Sequence, residues 1–539
     1  MKIWFFTLSV ALLSFGCSTR KDDESNVFRY NESNGITTLD PAFARDLEIM
    51  WATNQLFDGL VEMSPSLEVV PCIASRWEVS QDGLTYTFFL RKNVLFHESQ
   101  LFGSSKNRSV VATDFVYSFN RIIDPTLASP GSWIFSQLDT SSSPFEAPND
   151  STFIIHLKKP FQPFLGMLTT QYCNVVPKEV VEHYGKDFRS HPIGTGPFQF
   201  AFWYENNALV FHKNKSFWQK DETGNALPFL DAIKIDFVKD VSVEFHGLLL
   251  DKYDFISGIH PAFKDEILTS NGDLVAAYED KLQMIKTPFI KTDYIGFYID
   301  EKTPLNADSP FLLQSIRRAV NCAIDKKEMV KYLRNNTVVA AENGFLPPSL
   351  LNDDQAEKET YNPALALEIL KAAGFPNGKG LPKLVIATTS DYTDLIEFIQ
   401  HNLSKVGINV EVQVMQGSTF REATAKGQLP AFRKSWLADY PDPENFLSIF
   451  TSKNYCPSGP NYTHYNNVQY DQWYEEAIQT NDDSLRIEIY KKMNRQISND
   501  YPVIPLYYDQ VTHFISKRVD NWEINPINLI DLKKVKKLN

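Results

Sequence analysis

The segment Leu384–Val412 reads LVIATTSDYTDLIEFIQHNLSKVGINVEV and carries three consecutive structural signals. Its first five residues are an apolar run that ends in threonine, and its last five alternate β-branched and polar residues, so both ends predict strands. Between them, apolar residues recur at helical spacing. Ser390 or Asp391 is the expected N-cap of this helix, and Gly407 is its expected end. A strand, a helix and a strand joined by short connections indicate a parallel pair, and therefore an α/β fold.

The next apolar run leads into Ser435–Pro443, which reads SWLADYPDP. Its two prolines cannot continue a strand ladder, so a strand should end before Asp439. If this strand belongs to the same sheet, Asp439 lies beyond its carboxyl end, where ligands bind in open α/β sheets. Aromatic rings beside one carboxylate form a slot that suits a small cation such as a primary amine. The alternative is that Asp439 only caps the following turn.

Composition and motifs limit the possible functions. Across 539 residues, 53 basic and 66 acidic side chains give a net charge of −13, which favours neither nucleic acid nor an anionic membrane surface. The length implies several lobes. The chain has no H-E-x-x-H, P-loop, G-x-S-x-G or G-x-G-x-x-G motif. We therefore expect no enzyme, metal or cofactor. A surface hydrolase would be suggested only by the acidic, aromatic composition.

The N-terminus predicts export. Lys2 is followed by the apolar run Ile3–Phe15 and then by Gly16 and Cys17, which together predict a signal peptide over residues 1–16. Cys17 directly after Gly16 resembles the bacterial lipoprotein box, which implies lipid attachment at Cys17 and a polar tether over residues 17–26. The alternative is an ordinary signal peptide with an incidental cysteine.

The other four cysteines are far apart in the sequence. None forms a C-x-x-C pair, so we expect buried free thiols, although disulfide pairing cannot be read from the spacing. These residues are Cys72, Cys173, Cys322 and Cys456.

Seven segments in order give the chain a family resemblance. They are Thr38–Pro41, Gln55–Leu60, Ala74–Phe88 with its continuation to His97, Thr113–Phe119, Pro192–Phe198, Ile316–Lys326 and Pro502–Tyr508. Together they resemble the extracytoplasmic solute-binding proteins of peptide ABC importers, the oligopeptide- and dipeptide-binding type. The resemblance covers essentially all of the chain after the signal peptide.

The resemblance implies a periplasmic-binding-protein-like fold with two large mixed-sheet lobes, a hinge and a smaller extra lobe. Two crossings between lobes I and III would form the hinge that closes over ligand. The implied boundaries are residues 27–57, 191–288 and 506–539 for lobe I, 58–190 for lobe II and 289–505 for lobe III.

The resemblance also implies site residues on the SWLADYPDP segment. Asp439 matches the aspartate that holds the α-amino group of a bound peptide, and Trp436 matches a tryptophan that walls the site. Leu437 and Ala438 lie between them. Arg433 matches a basic residue that in some members meets the C-terminal carboxylate of short peptides, or it pairs with a structural acid instead.

Two further residue matches to the family are weaker. Arg45, Asp46 and Leu47 fall on the lobe I loop that faces ligand in the family. Some members have a histidine early in the helix after residue 391, where this chain has Tyr392 and Thr393. That difference leaves the preferred peptide length open.

We therefore expect a monomeric, lipid-anchored receptor on the outer side of the membrane. It would bind short peptides in an interlobe cleft and deliver them to an ABC permease, with no chemistry of its own. The alternative keeps the fold and changes the ligand to a nickel chelate, haem, an oligosaccharide or a signalling peptide.

Overall fold

The computed structural model describes residues 26–306, 309–358 and 360–538. The predicted signal peptide and the predicted lipidation site, Cys17, lie outside those residues. Within them, every helix is too short or too polar to cross a membrane. The four cysteines that fall in the described ranges are free and buried, as expected.

The described chain alternates strands and helices. The strands are β1 (Val27–Asn31), β2 (Val61–Met63), β3 (Val69–Pro71), β4 (Ala74–Val79), β5 (Thr85–Leu90), β6 (Phe145–Asn149), β7 (Thr152–His156), β8 (Phe198–Tyr204), β9 (Ala208–Lys213), β10 (Ala232–Asp236), β11 (Phe255–Ser257), β12 (Leu282–Phe297), β13 (Val339–Ala340), β14 (Leu384–Thr389), β15 (Val410–Met415), β16 (Ala431–Leu437), β17 (Val503–Ser516), β18 (Val519–Asp520) and β19 (Lys536–Lys537).

The α-helices vary from one turn to five. They are α1 (Leu47–Leu56), α2 (Ala112–Ile123), α3 (Phe164–Met167), α4 (Lys178–Tyr184), α5 (Val241–Leu249), α6 (Lys264–Ile267), α7 (Gln314–Cys322), α8 (Lys326–Arg334), α9 (Pro363–Ala372), α10 (Thr393–Ser404), α11 (Gly417–Ala425), α12 (Pro443–Leu447), α13 (Val468–Gln479) and α14 (Asp483–Asp500).

The predicted strand–helix–strand unit is confirmed. Strand β14 pairs in parallel with β15 and also with β16, so the segment that leads to Asp439 belongs to the same sheet. The predicted helix start is wrong by one or two residues, since the N-cap position is Tyr392. Ser390–Tyr392 forms a separate 3-10 turn, and α10 begins at Thr393. The Ser390 hydroxyl donates to the Asp391 carboxylate, at 3.2 Å, so neither side chain caps α10.

One mixed sheet runs through both large lobes. Its order is β15-β14-β16-β12-β17-β11-β1-β10-β9-β8, with β13 paired to β17. The antiparallel pair β12 and β17 forms its centre. Strand β12 also pairs with β16, and strand β17 also pairs with β11. Their register is interrupted between Pro288 and Thr292.

A separate four-stranded sheet, β4-β5-β7-β6, lies within the predicted extra lobe. Helix α2 covers it and packs Phe115 and Phe119 against Phe153, with all three rings fully buried. This core is continuous with apolar residues near α12, α13 and α14. The small sheet is thereby held against the lobe that carries Asp439.

Candidate ligand-binding site

Asp439 lies just beyond the carboxyl end of β16. The chain leaves the sheet at Ala438, whose buried amide donates to the Ile290 carbonyl of β12 at 3.0 Å. The capping alternative for Asp439 is wrong, because Asp442 fills that role. The Asp442 side chain accepts from the Glu444 amide at 2.9 Å and N-caps α12, with Pro443 at the first helical position.

Asn445, in α12, hydrogen-bonds to both Trp436 and Asp439. Its side-chain oxygen accepts from the Trp436 indole at 2.9 Å and from the Asp439 amide at 3.4 Å. Its side-chain nitrogen donates to the Asp439 carboxylate, also at 3.4 Å. One buried amide therefore fixes both predicted residues, a role that the sequence pattern did not indicate.

The Asp439 carboxylate is accessible to water but surrounded by protein. The residue is exposed, yet the walls around it desolvate the carboxylate and raise its pKa, while the Asn445 hydrogen bond lowers the pKa by less. Within the described residues, no basic side chain contributes to this pKa. The site thus presents a negative charge that the protein only partly compensates.

Tyr172 responds to charges on the loop before α1 and at Asp439. Burial, together with the charges of Asp439 and Asp46, raises the pKa of the Tyr172 hydroxyl to about 12, and the charge of Arg45 lowers it by less. Arg45 and Asp46 are exposed, and half-buried Leu47 begins α1. Charges from two other segments, residues 45 and 46 and residue 439, therefore act on Tyr172.

Contacts between the extra lobe and the Asp439 lobe border this cleft. Trp133 stacks on Tyr440, the neighbour of Asp439, with ring centroids 5.9 Å apart and planes at 26°. The Gln162 backbone amide donates to the Ile478 backbone carbonyl at 3.3 Å. The aromatic wall predicted from Trp436 is thus extended by Trp133 from the other lobe.

Glu444 fixes the same loop from its buried side. This buried carboxyl accepts hydrogen bonds from the hydroxyls of Tyr440 and Tyr474. Burial raises the pKa of Glu444 to about 7, although both hydroxyls lower it. Asp442 pairs with Arg486 of α14 at 2.6 Å. The Asp-Pro pair before two consecutive polar residues is a weak sequence signal of this arrangement.

Arg433 belongs to a second group. Its guanidinium forms an ion pair with buried Asp293 and lies 3.1 Å from the centre of the Tyr392 ring. Burial lowers the pKa of Arg433 to about 10. This is the structural-acid alternative of the sequence analysis. A ligand carboxylate would have to replace Asp293 in order to engage Arg433.

Charged residues of the two central strands extend the Arg433 group. Lys291 pairs with Asp509 at 2.6 Å and with Asp293 at 3.6 Å. Leu437, which is 41% exposed, lies opposite Lys291 in the ladder between β12 and β16. Of the predicted site residues, Arg433 and Tyr392 therefore lie together, while Trp436, Ala438 and Asp439 lie at the other end of β16.

Among the described residues, no group of three histidine, cysteine or acidic side chains could hold a metal ion. A mixed sheet shared by two large lobes, with a smaller sheet packed on one of them, defines a bilobed substrate-binding fold.

The chain belongs to the bacterial extracellular solute-binding proteins, family 5, whose middle-region profile matches residues 68–456. Proteins of this kind are substrate-binding receptors of ABC transporters and not enzymes. This confirms the predicted family, fold class and lack of enzymatic activity.

Two curated relatives and one solved structure illustrate the similarity. The glutathione-binding protein GsiB of Salmonella choleraesuis is 28% identical over 499 residues, which is 92% of this chain and 91% of that protein. Heme-binding protein A of Haemophilus influenzae is 27% identical over 527 residues, 94% of this chain and 91% of that protein. DppA of Helicobacter pylori, in complex with the peptide STSA, superposes with a TM-score of 0.75 at 24% identity, covering 95% of this chain and 98% of that one.

Proposed function

We propose that this protein is an extracytoplasmic receptor that binds short peptides and delivers them to an ABC permease. Asp439 binds the α-amino group of the peptide. The observation that carries the proposal is the desolvated carboxylate of Asp439, which has a hydrogen-bonding neighbour but no cationic one among the described residues.

An ammonium group is the ligand feature that such a carboxylate favours. A close opposite charge stabilises the ionised form and offsets the desolvation that raises the pKa of Asp439. The Trp436 indole donates to Asn445 and Trp133 stacks on Tyr440, so two tryptophans adjoin the loop that carries Asp439. An extended peptide can pair its backbone with surrounding polar groups, so side-chain identity need not be restricted.

Lobe closure belongs to the same proposal. The interrupted register between Pro288 and Thr292 supports a hinge near the predicted crossing at residues 288 and 289, and the second crossing is proposed at residues 505 and 506. Charged contacts between Lys291 and Asp509 bridge the two central strands near this break. We also propose a lipid anchor at Cys17, which would keep the receptor close to its permease.

Relatives named for glutathione and for haem give a second ligand class to test. Haem iron can be held by a tyrosinate. Burial raises the pKa of Tyr172 to about 12, which disfavours that form in this cleft. Glutathione carries a free amino group and fits the amine mode. Absorbance titration with haemin separates the haem alternative from the peptide proposal.

The test is calorimetric titration with a pool of tri- to pentapeptides, each free or N-acetylated. Wild-type protein should bind only the free peptides, and Asp439→Asn should weaken binding by at least about 30-fold, because losing one partner of a close charge pair costs about 2 kcal/mol or more. Asp150→Asn, at an exposed aspartate between β6 and β7, is the matched control and should bind normally. Equal binding of acetylated peptides would refute the amine mode.

A further inference from the structure

Lys434 lies in the middle of β16, on the face of the strand opposite to Arg433. Successive side chains of a strand point to opposite faces, so Lys434 shares its face with Trp436, which lies about 7 Å nearer to Asp439. The residue is half-buried, and its ammonium lies 3.9 Å from the centre of the Tyr462 ring. Lys434 therefore places a cation on the strand whose carboxyl end leads to the proposed amine site.

The positive charge of Lys434 has no acidic partner among the described residues. Burial, together with the charge of Arg421, lowers the pKa of Lys434 to about 8, and Cys456 raises it by less. His464, which contacts the Cys456 thiol, hydrogen-bonds to Asp300 at 3.1 Å, so that carboxylate is engaged elsewhere. The protein thus leaves a desolvated ammonium without a counter-charge.

Helix α11 adds to the positive potential beside Lys434. Arg421, an exposed residue of this helix, also lacks an acidic partner within the described part of the chain. Its neighbour Glu422 pairs with Lys426 at 2.6 Å instead. The first turn of α11 contains no acidic residue, and no side chain caps it. An anionic group is therefore the ligand feature that this face of β16 favours.

The outer edge of β16 offers a place for an extended peptide. Strand β14 pairs with the first two residues of β16 and ends at Thr389, whereas β16 continues to Leu437. The Ala438 amide donates to β12, and the direction of backbone groups alternates along an antiparallel pair, so those of Ser435 and Leu437 point to the outer edge. An extended peptide can add to such an edge as a further strand.

A peptide on this edge, with its α-amino group at Asp439, has to run back along β16 towards Lys434. A strand rises about 3.4 Å per residue, so Lys434 lies about 10 Å before Leu437, the last residue of the strand. That length corresponds to about three residues of an extended peptide. A carboxylate near the third residue of the peptide therefore comes within reach of the lysine.

We propose that Lys434, assisted by Arg421, binds a carboxylate of the bound peptide, which is either its C-terminal carboxylate or an acidic side chain. This inference rests on the proposed function. A carboxylate supplies the counter-charge that the protein does not provide to Lys434, and a neutral group of the same shape does not. The Arg433 guanidinium is already paired with Asp293, so Lys434 is the cation of β16 that is available to ligand.

The experiment is calorimetric titration of the protein with two series of peptides. The first compares tri-alanine with a free and with an amidated C-terminus. The second compares amidated penta-alanine peptides in which glutamate or glutamine replaces the second, third or fourth alanine. In at least one series, the carboxylate should raise the affinity of wild-type protein by about tenfold or more. A gain in the first series assigns the C-terminal carboxylate, and a gain in the second assigns an acidic side chain.

Four variants test the role of the lysine. Lys434→Met keeps the length of the side chain and removes its charge, so the carboxylate should no longer raise affinity. Lys434→Arg keeps the charge and should retain most of the preference, and Arg421→Gln, at an exposed position, should reduce it. Lys371→Met, at an exposed lysine of α9, changes the net charge equally and is the matched control. Thermal unfolding checks that each variant folds.

The outcomes separate the two proposals. If neutral peptides bind but a carboxylate gives no Lys434-dependent gain in either series, the carboxylate subsite is refuted and the receptor proposal stands. If Lys434→Met weakens charged and neutral peptides by the same factor, the lysine is structural and the subsite is equally refuted. If the wild-type protein binds none of the peptides, the receptor proposal itself fails and the subsite fails with it.

Discussion

Asn445 should act as a positioning residue for Asp439, and Asn445→Ala tests this. The substitution removes the acceptor of the Trp436 indole, at 2.9 Å, and the donor to the Asp439 carboxylate, at 3.4 Å. A neutral hydrogen bond contributes about 1 kcal/mol net, and the longer contact to the carboxylate adds less than a short charge-assisted bond would. We expect peptide affinity to fall about tenfold, which corresponds to about 1.4 kcal/mol.

The pH dependence distinguishes positioning from packing. Peptide amines bind the ionised carboxylate, so affinity should fall as the pH drops through the pKa of Asp439, which burial raises. The Asn445 hydrogen bond lowers that pKa. Its removal should therefore raise the pKa further, and the acid loss of affinity should begin at a higher pH in the variant.

The assay is calorimetric titration of one tripeptide across the acidic range, with Asn402→Ala as the matched control. Asn402 is equally buried and makes two hydrogen bonds, at 3.1 Å each, in the core beside α10, away from Asp439. The control should shift neither affinity nor pH midpoint. An Asn445→Ala protein whose affinity falls with no change in the pH midpoint would refute the positioning role.

Two stability predictions concern buried carboxyls. Asp293→Ala leaves the buried Arg433 guanidinium without its partner, so the free energy of unfolding measured by urea denaturation should fall by about 3–5 kcal/mol. Adding Arg433→Leu to the same chain should recover part of this loss. Equal stability of the single and double variants would contradict the prediction. Burial raises the pKa of Glu444 to about 7, so the stabilisation from its proton is present at low pH and is lost as the pH rises through that value. The stability of Glu444→Gln relative to wild type should therefore increase between pH 5 and pH 8, by up to about 3 kcal/mol. Urea denaturation of both proteins at the two pH values measures this change. A difference in unfolding free energy that is the same at both pH values would refute the reasoning.

Local patterns predicted the part of the fold that depends on short-range signals. The parallel pair β14 and β15 follows from two apolar segments joined by a short helical connection, whereas the place of β16 beside β14 was only a condition of the prediction and is supplied by the structure. The start of α10 did not follow, since Ser390 and Asp391 hydrogen-bond to each other instead of capping the helix. Such a choice depends on side-chain geometry that residue types do not encode.

The candidate site was predictable only in its charge. The segment SWLADYPDP identifies Asp439 and Trp436 as neighbours. Trp133, which stacks on Tyr440, and Tyr172, whose pKa the charge of Asp439 raises, come from distant parts of the chain. The same limit applies to Arg433, whose pairing with Asp293 depends on the register between β12 and β16. Contacts between lobes cannot be inferred from spacing in a single segment.

The loop after β16 explains how the protein holds a partly uncompensated carboxylate in a fixed place. Asp439 gains little from its own contacts, so its neighbours must hold the backbone. The Ala438 amide donates a hydrogen bond to the Ile290 carbonyl, and Asp442 caps α12. The Glu444 carboxyl accepts hydrogen bonds from two tyrosine hydroxyls. Each anchor lies within four residues of the next. The free energy that fixes the loop thus comes from groups that do not touch ligand, which leaves the charge of Asp439 available for binding.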